Sequence, residues 1–98
     1  MKSKRYYVYI MSNETNSVLY TGVTNDIARR VWEHKNETGG QFTKRYRVKK
    51  LVYVEAHRTA RDAIEREKKI KAGSRQKKMD LVNNVNPQWH DLYDELPV

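Results

Sequence analysis

Residues 6–23 read YYVYIMSNETNSVLYTGV, and this stretch decides the fold. Its two ends, 6–11 and 18–23, are short runs rich in aromatic and β-branched residues, a composition typical of strands. Between them, residues 13–17 are all polar, a composition typical of a turn. The pattern therefore predicts a β-hairpin.

Alternation along the two predicted strands sets which side chains share a face. Tyr9 lies on the face opposite Val8 in the first strand, and Tyr20 and Gly22 share a face in the second. Whether Tyr9 and Tyr20 face the same side of the hairpin depends on the register of the strands.

The rest of the chain predicts three helices and a third strand. A helix follows the hairpin and runs to about Asn36, with Thr24 or Asn25 as its cap. Residues 37–47 hold two glycines and several cations, which is typical of a loop, and residues 51–56 form the third strand. The two later helices are expected from the cap Thr59 (with Asp62 completing a capping box) to Ala72 with Gly73 as the stop, and from the cap Ser74 to about Val82.

The C-terminal tail begins where Asn86 and Pro87 break regular structure. After this break, Trp89, Leu92 and Tyr93 offer an apolar patch, which predicts a last turn that docks on the core.

Length and composition limit the possible classes of protein. A chain of 98 residues predicts one domain, 1–98, with a core of about residues 4–85 and a tail of 86–98. The chain has no cysteine, which excludes disulfides and thiolate-bound zinc. No apolar run approaches the ~20 residues of a membrane-spanning helix. We expect a cytoplasmic protein with no membrane partner.

Positive charge is concentrated in the second half of the chain. The net charge is +8, and residues 42–78 hold fourteen Lys and Arg against four acids. Such a band suggests a polyanionic partner, most simply a nucleic acid, and a solvated surface on a basic protein is the alternative.

Within this band the cations form two clusters. The first interleaves cations with Phe42 and Tyr46, a combination that tracks phosphates and stacks on bases, and the second lies on the later helices. Either cluster could instead only solvate its helix or loop. The residues that we expect to bind nucleic acid are Lys44, Arg45, Arg47, Lys49, Lys68 and Lys71.

Glu67 interrupts the apolar stripe of the helix that Thr59 opens. Helical spacing places it on one face with Ala63 and Ile70, and a carboxylate that faces a core is costly unless it is paired or binds a cation. It is therefore either a Mg²⁺ ligand or one partner of a salt bridge, with Lys71 or another cation as the other partner.

Four further residues have side chains suited to phosphodiester chemistry. Arg30 and His34 are four residues apart on the first helix, where Arg can bind a phosphate and His can act as an acid, a base or a partner of a tyrosine. Tyr9 and Tyr20 have an ordinary pKa of ~10, which a neighbouring cation can lower. Structural roles, in half-buried strands and in an amphipathic helix, are the alternative. No phosphate-binding or dinucleotide-binding glycine motif is present, so no small-molecule cofactor is expected.

These motifs resemble those of the GIY-YIG nuclease superfamily. Residues 7–9, Tyr-Val-Tyr, stand in place of Gly-Ile-Tyr, and residues 20–22, Tyr-Thr-Gly, stand in place of Tyr-Ile-Gly. The helix with Arg30 and His34 follows at the family spacing, and the metal-binding glutamate of the family corresponds to Glu67. Residues 42–46 and 86–89 resemble a narrower group, the small stand-alone YhbQ-like bacterial GIY-YIG proteins.

The resemblance implies an α/β (α+β) fold with a three-stranded antiparallel sheet flanked by helices. It also implies a catalytic set in which Tyr9 helps to deprotonate water, Tyr20 positions that water or the scissile phosphate, and Arg30 stabilises the pentavalent charge. His34 would support a tyrosine or the phosphate, and Glu67 would hold one Mg²⁺ or Mn²⁺.

The implied function is endonucleolytic hydrolysis of DNA, or alternatively RNA, with one divalent metal, in DNA repair or recombination. Most characterised nucleases of the superfamily carry a further domain, so we expect either weak or structure-directed cleavage, or a protein partner that supplies targeting. The alternatives are a nucleic-acid-binding module with little catalysis and an interaction subunit that contacts its partner through residues 89–96.

Overall fold

Three antiparallel strands form the centre of the computed structural model, which describes residues 5–96. The strands are β1 (Tyr6–Ser12), β2 (Leu19–Thr24) and β3 (Lys50–His57), and their order in the sheet is β2-β1-β3. The predicted three-stranded antiparallel sheet is therefore confirmed, and β1 lies at its centre. Among residues 5–96, β2 pairs only with β1, so its other side is an edge of the sheet in this part of the chain.

Helices cover both faces of this sheet. They are α1 (Ile27–Lys35), α2 (Gln41–Arg45), α3 (Ala60–Ala72) and α4 (Arg75–Val85), followed by one turn of 3-10 helix (Tyr93–Glu95). The order of strands and helices gives an α+β fold, as the sequence predicts.

The alternation of side chains along β1 divides the core into two clusters. Val8 and Ile10 pack on one face with Ala63 and Ile70 of α3. Tyr9 and Met11 pack on the other face with buried residues that include Ile27 and Val31 of α1. The face assignments predicted from the hairpin sequence therefore hold.

The start of α1 differs from the prediction. The cap is Asp26, whose Oδ1 accepts a hydrogen bond from the backbone N–H of Arg29 at 3.2 Å. Thr24 is the last residue of β2, and its hydroxyl instead accepts from the backbone N–H of Asp26 at 3.1 Å. The strand thus continues one residue beyond its predicted end, which moves the cap along the chain.

The segment 37–47, predicted as a loop, contains the helix α2. Its cap residue Gly40 has a φ of 142°, a backbone conformation that L side chains rarely adopt. A helix of five residues is too short to show a 3.6-residue hydrophobic period, so the sequence carries no helical signal here.

The caps of α3 and α4 match the prediction, and two of their details do not. Thr59 and Ser74 each accept a hydrogen bond from a backbone N–H of the first turn of their helix. Gly73 ends α3 with a φ of −75°, so it does not adopt the left-handed conformation of a glycine stop. Helix α4 continues to Val85, three residues beyond Val82.

The C-terminal tail docks on the core, as predicted. The side-chain amide of the buried Asn86 donates to the carbonyl of Val52 at 3.1 Å, and the backbone N–H of Leu92 donates to that of Leu51 at 2.8 Å. Trp89 and Leu92 pack against the two clusters of the core. These apolar side chains are therefore engaged within the chain itself.

The first four residues and the last two residues of the predicted domain lie outside the described residues. Among the helices within 5–96, none is long and apolar enough to cross a membrane.

Candidate active site

Three rings from different elements meet beside β2. The hydroxyl of Tyr9 on β1 lies 3.0 Å from Nε2 of His34 on α1, and both side chains are buried. The ring of Tyr20 on β2 lies 6.3 Å from that of Tyr9 and 5.3 Å from that of His34, centroid to centroid. The two tyrosines therefore do face the same side of the hairpin.

Two glycines make the space for these rings. Tyr9 is paired with Gly22 across the hairpin, and a Cβ atom at Gly22 would lie 2.5 Å from the Tyr9 ring. A Cβ atom at Gly39 would lie 2.7 Å from Nδ1 of His34. The glycine of the second sequence motif is thus explained by the close approach of the Tyr9 ring.

His34 is a neutral imidazole in this position. Burial, followed by the positive charge of Arg30, lowers its pKa to about 4. Within residues 5–96 its Nδ1 atom is buried and has no hydrogen-bond partner. A protonated Tyr9 either donates to Nε2 or accepts from it, according to the tautomer of His34, and only the tautomer with the proton on Nε2 can donate to a Tyr9 phenolate.

The acidity of Tyr9 is set by opposing effects. Burial raises its pKa to about 12, and the nearby guanidinium of Arg30 offsets part of this increase. Arg30 is thus a cation that lowers the pKa of Tyr9, as the sequence allows, but it lowers this pKa by less than desolvation raises it. Tyr9 is therefore protonated at neutral pH, and any further positive charge beside its oxygen would favour the phenolate.

Arg30 lies next to the tyrosines with hydrogen-bonding capacity to spare. Its guanidinium donates to the carbonyl of Gly39 at 2.7 Å and to Glu33 Oε1 at 3.2 Å. These contacts fix the planar group and use two of its five N–H donors. The rest can bind a phosphate oxygen.

Glu67 is near this cluster and is itself paired. Its charge contributes weakly to the high pKa of Tyr9, after burial and other causes, which places it within electrostatic range. Its side chain is 14% exposed, and Oε2 lies 3.0 Å from Nζ of Lys71. The salt bridge that the sequence offers as the alternative to a metal site is thus present, and it is solvent accessible.

The donor set fits one kind of metal site. Within residues 5–96 no group of three or more His, Cys, Asp or Glu side chains is placed to hold a metal ion. Mg²⁺ commonly uses one or two carboxylates and takes its other ligands from water and substrate phosphates. A single accessible carboxylate fits such a site, whereas it does not fit a site built from protein ligands alone.

Four of the predicted nucleic-acid-binding residues lie around Glu37: Lys49 pairs with it at 3.1 Å, and Lys44, Arg45 and Arg47 are close to it. The other two, Lys68 and Lys71, lie on α3. Of the six, only Lys71 lines a cleft beside Tyr20.

Two further residues lie at this cleft although the sequence does not predict them as site residues. Lys78 of α4 lines the same cleft, and Phe42 of α2 lies 6.0 Å from the Tyr20 ring, centroid to centroid. Both residues belong to the basic clusters of the sequence. Their position beside Tyr20 depends on how the helices pack, for which the sequence has no local signal.

Comparisons with known proteins bear on the family and the fold of this chain. The model of the GIY-YIG catalytic domain matches residues 5–80. A UPF0213 protein of Staphylococcus saprophyticus is 42% identical over 79 residues, which cover 81% of this chain and 95% of the relative. One of Staphylococcus epidermidis is 38% identical over 78 residues, which cover 80% and 94%. The solution NMR structure of a UPF0213 protein from Bacillus halodurans has a TM-score of 0.56 at 31% identity and covers 89% of this chain and 92% of that one.

Proposed function

Because the chain belongs to the GIY-YIG domain family, we propose that it is an endonuclease that hydrolyses phosphodiester bonds of DNA with one divalent metal ion. The observation that carries the proposal is the meeting of Tyr9, Tyr20, His34 and Arg30 at one edge of the sheet. Each of the four comes from a sequence motif, and together they supply a proton acceptor and a phosphate-binding cation.

In the proposed reaction Tyr9 first loses its hydroxyl proton to solvent, and the resulting phenolate accepts the proton of the attacking water. The N–H of His34 and the charge of Arg30 both stabilise the phenolate, which increases the fraction of the protein that carries this base. Tyr20, at the wall of the cleft, positions the water or the phosphate. The remaining N–H donors of Arg30 bind the phosphate oxygens, where negative charge increases in the transition state.

Glu67 would hold the metal ion, Mg²⁺ or Mn²⁺, with Lys71 displaced from its carboxylate. When bound, the ion supplies positive charge to the phosphate oxygens and the leaving oxygen. The positive band of the chain supports DNA as the partner, with RNA as the alternative substrate. A role in repair or recombination, a targeting protein and a cytoplasmic location stay predictions.

Nicking of DNA tests this proposal. Supercoiled plasmid and branched DNA are incubated with wild type, Glu67→Gln and Glu65→Gln, each with Mg²⁺ and with EDTA. Glu65 is on the same helix and is paired with Arg61 at 3.4 Å on an exposed face, so its variant is a matched control. We expect nicking by wild type and Glu65→Gln in Mg²⁺ only, and none by Glu67→Gln. Nicking that persists in Glu67→Gln would refute the metal role.

A second function is favoured by the ion pair between Glu67 and Lys71. If this pair is permanent, the chain is a nucleic-acid-binding module in which the carboxylate has a structural role. This alternative predicts salt-sensitive DNA binding, no metal-dependent nicking and equal behaviour of Glu65→Gln and Glu67→Gln.

A further inference from the structure

A cleft of about 500 Å³ lies between α3 and α4, and a second cleft of about 400 Å³ lies along the free edge of β2. The second adjoins the candidate active site, because Tyr20 is one of its walls. Its other lining residues are Leu19, Thr21, Phe42, Lys71 and Lys78. We name it the β2-edge cleft.

One wall of the β2-edge cleft continues into a row of neighbouring aromatic rings that are tilted with respect to one another. The Phe42 ring is 6.0 Å from Tyr20 and 4.8 Å from Tyr46, between centroids. Phe42 is 47% exposed and Tyr46 is 42% exposed, although apolar rings of this size are usually buried. The guanidinium of Arg45 lies 5.5 Å from the centre of the Tyr46 ring. The row therefore presents aromatic faces and a cation to solvent beside the catalytic tyrosines.

The opposite wall carries positive charge. Lys78 Nζ donates to the carbonyls of Gly73 at 2.6 Å and of Lys71 at 3.3 Å, which fixes the ammonium group and leaves it one further N–H. Lys71 reaches the cleft from the last turn of α3, where its Nζ is paired with Glu67 Oε2 at 3.0 Å and keeps further N–H donors for a ligand. Two ammonium groups facing an aromatic wall suit a ligand that has both an anionic group and a flat ring.

Thr21 provides an independent sign of a missing ligand. Its side chain is 5% exposed and lines the cleft, and within the described part of the chain its hydroxyl has no hydrogen-bond partner. A buried hydroxyl without a partner is costly, and a polar group of a ligand in the cleft would satisfy it.

We propose that the β2-edge cleft binds an unpaired nucleotide next to the scissile phosphate, with its base stacked on Phe42 and Tyr46 and its phosphate held by Lys71 and Lys78. The substrate class is therefore a nucleic acid with a single-stranded segment at the site of cleavage. The inference rests on the proposed function in taking a nucleic acid as the ligand and in placing the scissile phosphate beside Tyr20.

The size of the cleft and its aromatic wall favour an unpaired strand over a duplex as the ligand. In a duplex the flat faces of the bases are stacked on their neighbours, so an aromatic wall has no base face to contact. In a single strand each base offers such a face, and aromatic stacking with a positively charged groove is how proteins bind single strands without reading sequence. The volume suits a ligand the size of one nucleotide, since small-molecule sites span about 300–1,000 Å³.

Binding in EDTA tests this inference without any cleavage. The probe is a labelled single-stranded DNA oligonucleotide that carries a fluorescent adenine analogue, and its fully paired duplex is the comparison. We expect Phe42→Leu to weaken single-strand binding about tenfold and to remove the quenching of the analogue, with duplex binding unchanged. Phe42→Trp should restore both. Trp32→Leu is the matched control, because Trp32 is 52% exposed on α1.

Two results would overturn the inference. One is equal weakening of single-strand and duplex binding by Phe42→Leu, and the other is no weakening of either. Both are independent of catalysis, since a protein that fails to nick DNA can still show the stacking-dependent affinity, and a protein that nicks DNA can lack it.

Discussion

Two clusters of the same four residue types lie on this fold, and they differ in how fully their polar groups are paired. Each contains a tyrosine, a histidine, an arginine and a glutamate. The catalytic cluster, so called for its proposed role, is Tyr9, His34, Arg30 and Glu67, and the β3 cluster is Tyr53, His57, Arg66 and Glu55.

In the β3 cluster the carboxylate is saturated. Glu55 accepts from the Tyr53 hydroxyl at 2.6 Å, from His57 Nε2 at 2.5 Å and from Arg66 Nε at 3.2 Å. Burial alone would raise its pKa, but these hydrogen bonds lower it overall. A carboxylate with three strong partners is stable as it is and has little capacity left for a ligand.

In the catalytic cluster the polar groups are not fully paired. Nδ1 of His34 has no partner among residues 5–96, and Glu67 is paired only with the half-exposed Lys71. The comparison shows that residue types alone do not mark a site. Unused hydrogen-bonding capacity beside a cleft distinguishes the catalytic cluster from the β3 cluster.

The largest difference should appear when each tyrosine loses its hydroxyl. Tyr9→Phe removes the proposed proton acceptor, and we expect DNA nicking in Mg²⁺ to fall by about 10²–10⁴-fold, the usual contribution of a general base. Tyr53→Phe removes a hydroxyl that only binds Glu55, and nicking should stay within about twofold. Plasmid nicking rates measure both. If both variants lose nicking equally after folding is confirmed by circular dichroism, the two clusters do not differ in the proposed way.

The two clusters should also respond to acid in different pH ranges. The pKa of His34 is lowered to about 4 by burial, from 6.5, so the unfolded chain binds more protons than the folded chain between these values. Protonation of His34 therefore leaves the free energy of unfolding unchanged above about pH 6.5 and lowers it by about 3 kcal/mol as the pH drops towards 4. The lowered pKa of Glu55 affects the free energy of unfolding only below its ordinary pKa of 4.5.

Urea unfolding of wild type and His34→Gln at several pH values measures this effect. The free energy of unfolding should decrease between pH 6.5 and 4.5 in wild type and should be nearly constant there in the variant. A decrease of the same size in His34→Gln would assign it to another group.

The sequence predicts the parts of the catalytic cluster that depend on local pattern. The helical period puts Glu67 on the inner face of α3, and strand alternation puts Tyr9 and Tyr20 on their faces, because both periods follow from backbone geometry. The β3 cluster has a partial signal of this kind, since Tyr53, Glu55 and His57 alternate along one strand.

The rest depends on packing between distant segments. The close approach of Gly39 to His34 and of Phe42 to Tyr20 involves the segment 37–47, whose helix α2 is too short to show a period. The opposing effects on Tyr9 are also non-local, because the sequence locates a cation but gives no measure of the burial that outweighs it.

Gly22→Ala tests the close packing of the catalytic cluster. The new Cβ atom would lie 2.5 Å from the Tyr9 ring, so the ring must move. Overpacking of this kind costs about 1–3 kcal/mol, and we expect both the free energy of unfolding and nicking to fall. At Gly73 the nearest atom to a new Cβ is 3.3 Å away and φ is −75°, so Gly73→Ala should cost less. If thermal and urea unfolding showed equal losses of stability in Gly22→Ala and Gly73→Ala, this expectation would be contradicted.

The smallest effect concerns the cations that pair with the two glutamates. Lys71 is 52% exposed, and exposed ion pairs contribute about 0–1 kcal/mol, so Lys71→Met should hardly change the free energy of unfolding. It should instead strengthen Mg²⁺ binding, because the carboxylate of Glu67 no longer has to release an ammonium group.

Arg66→Met is the matched change in the β3 cluster, and it should destabilise the fold without creating a metal site, since Glu55 keeps Tyr53 and His57. Titration calorimetry with Mg²⁺ and urea unfolding separate the two, and stronger Mg²⁺ binding in Arg66→Met alone would place the metal site at Glu55 in the β3 cluster.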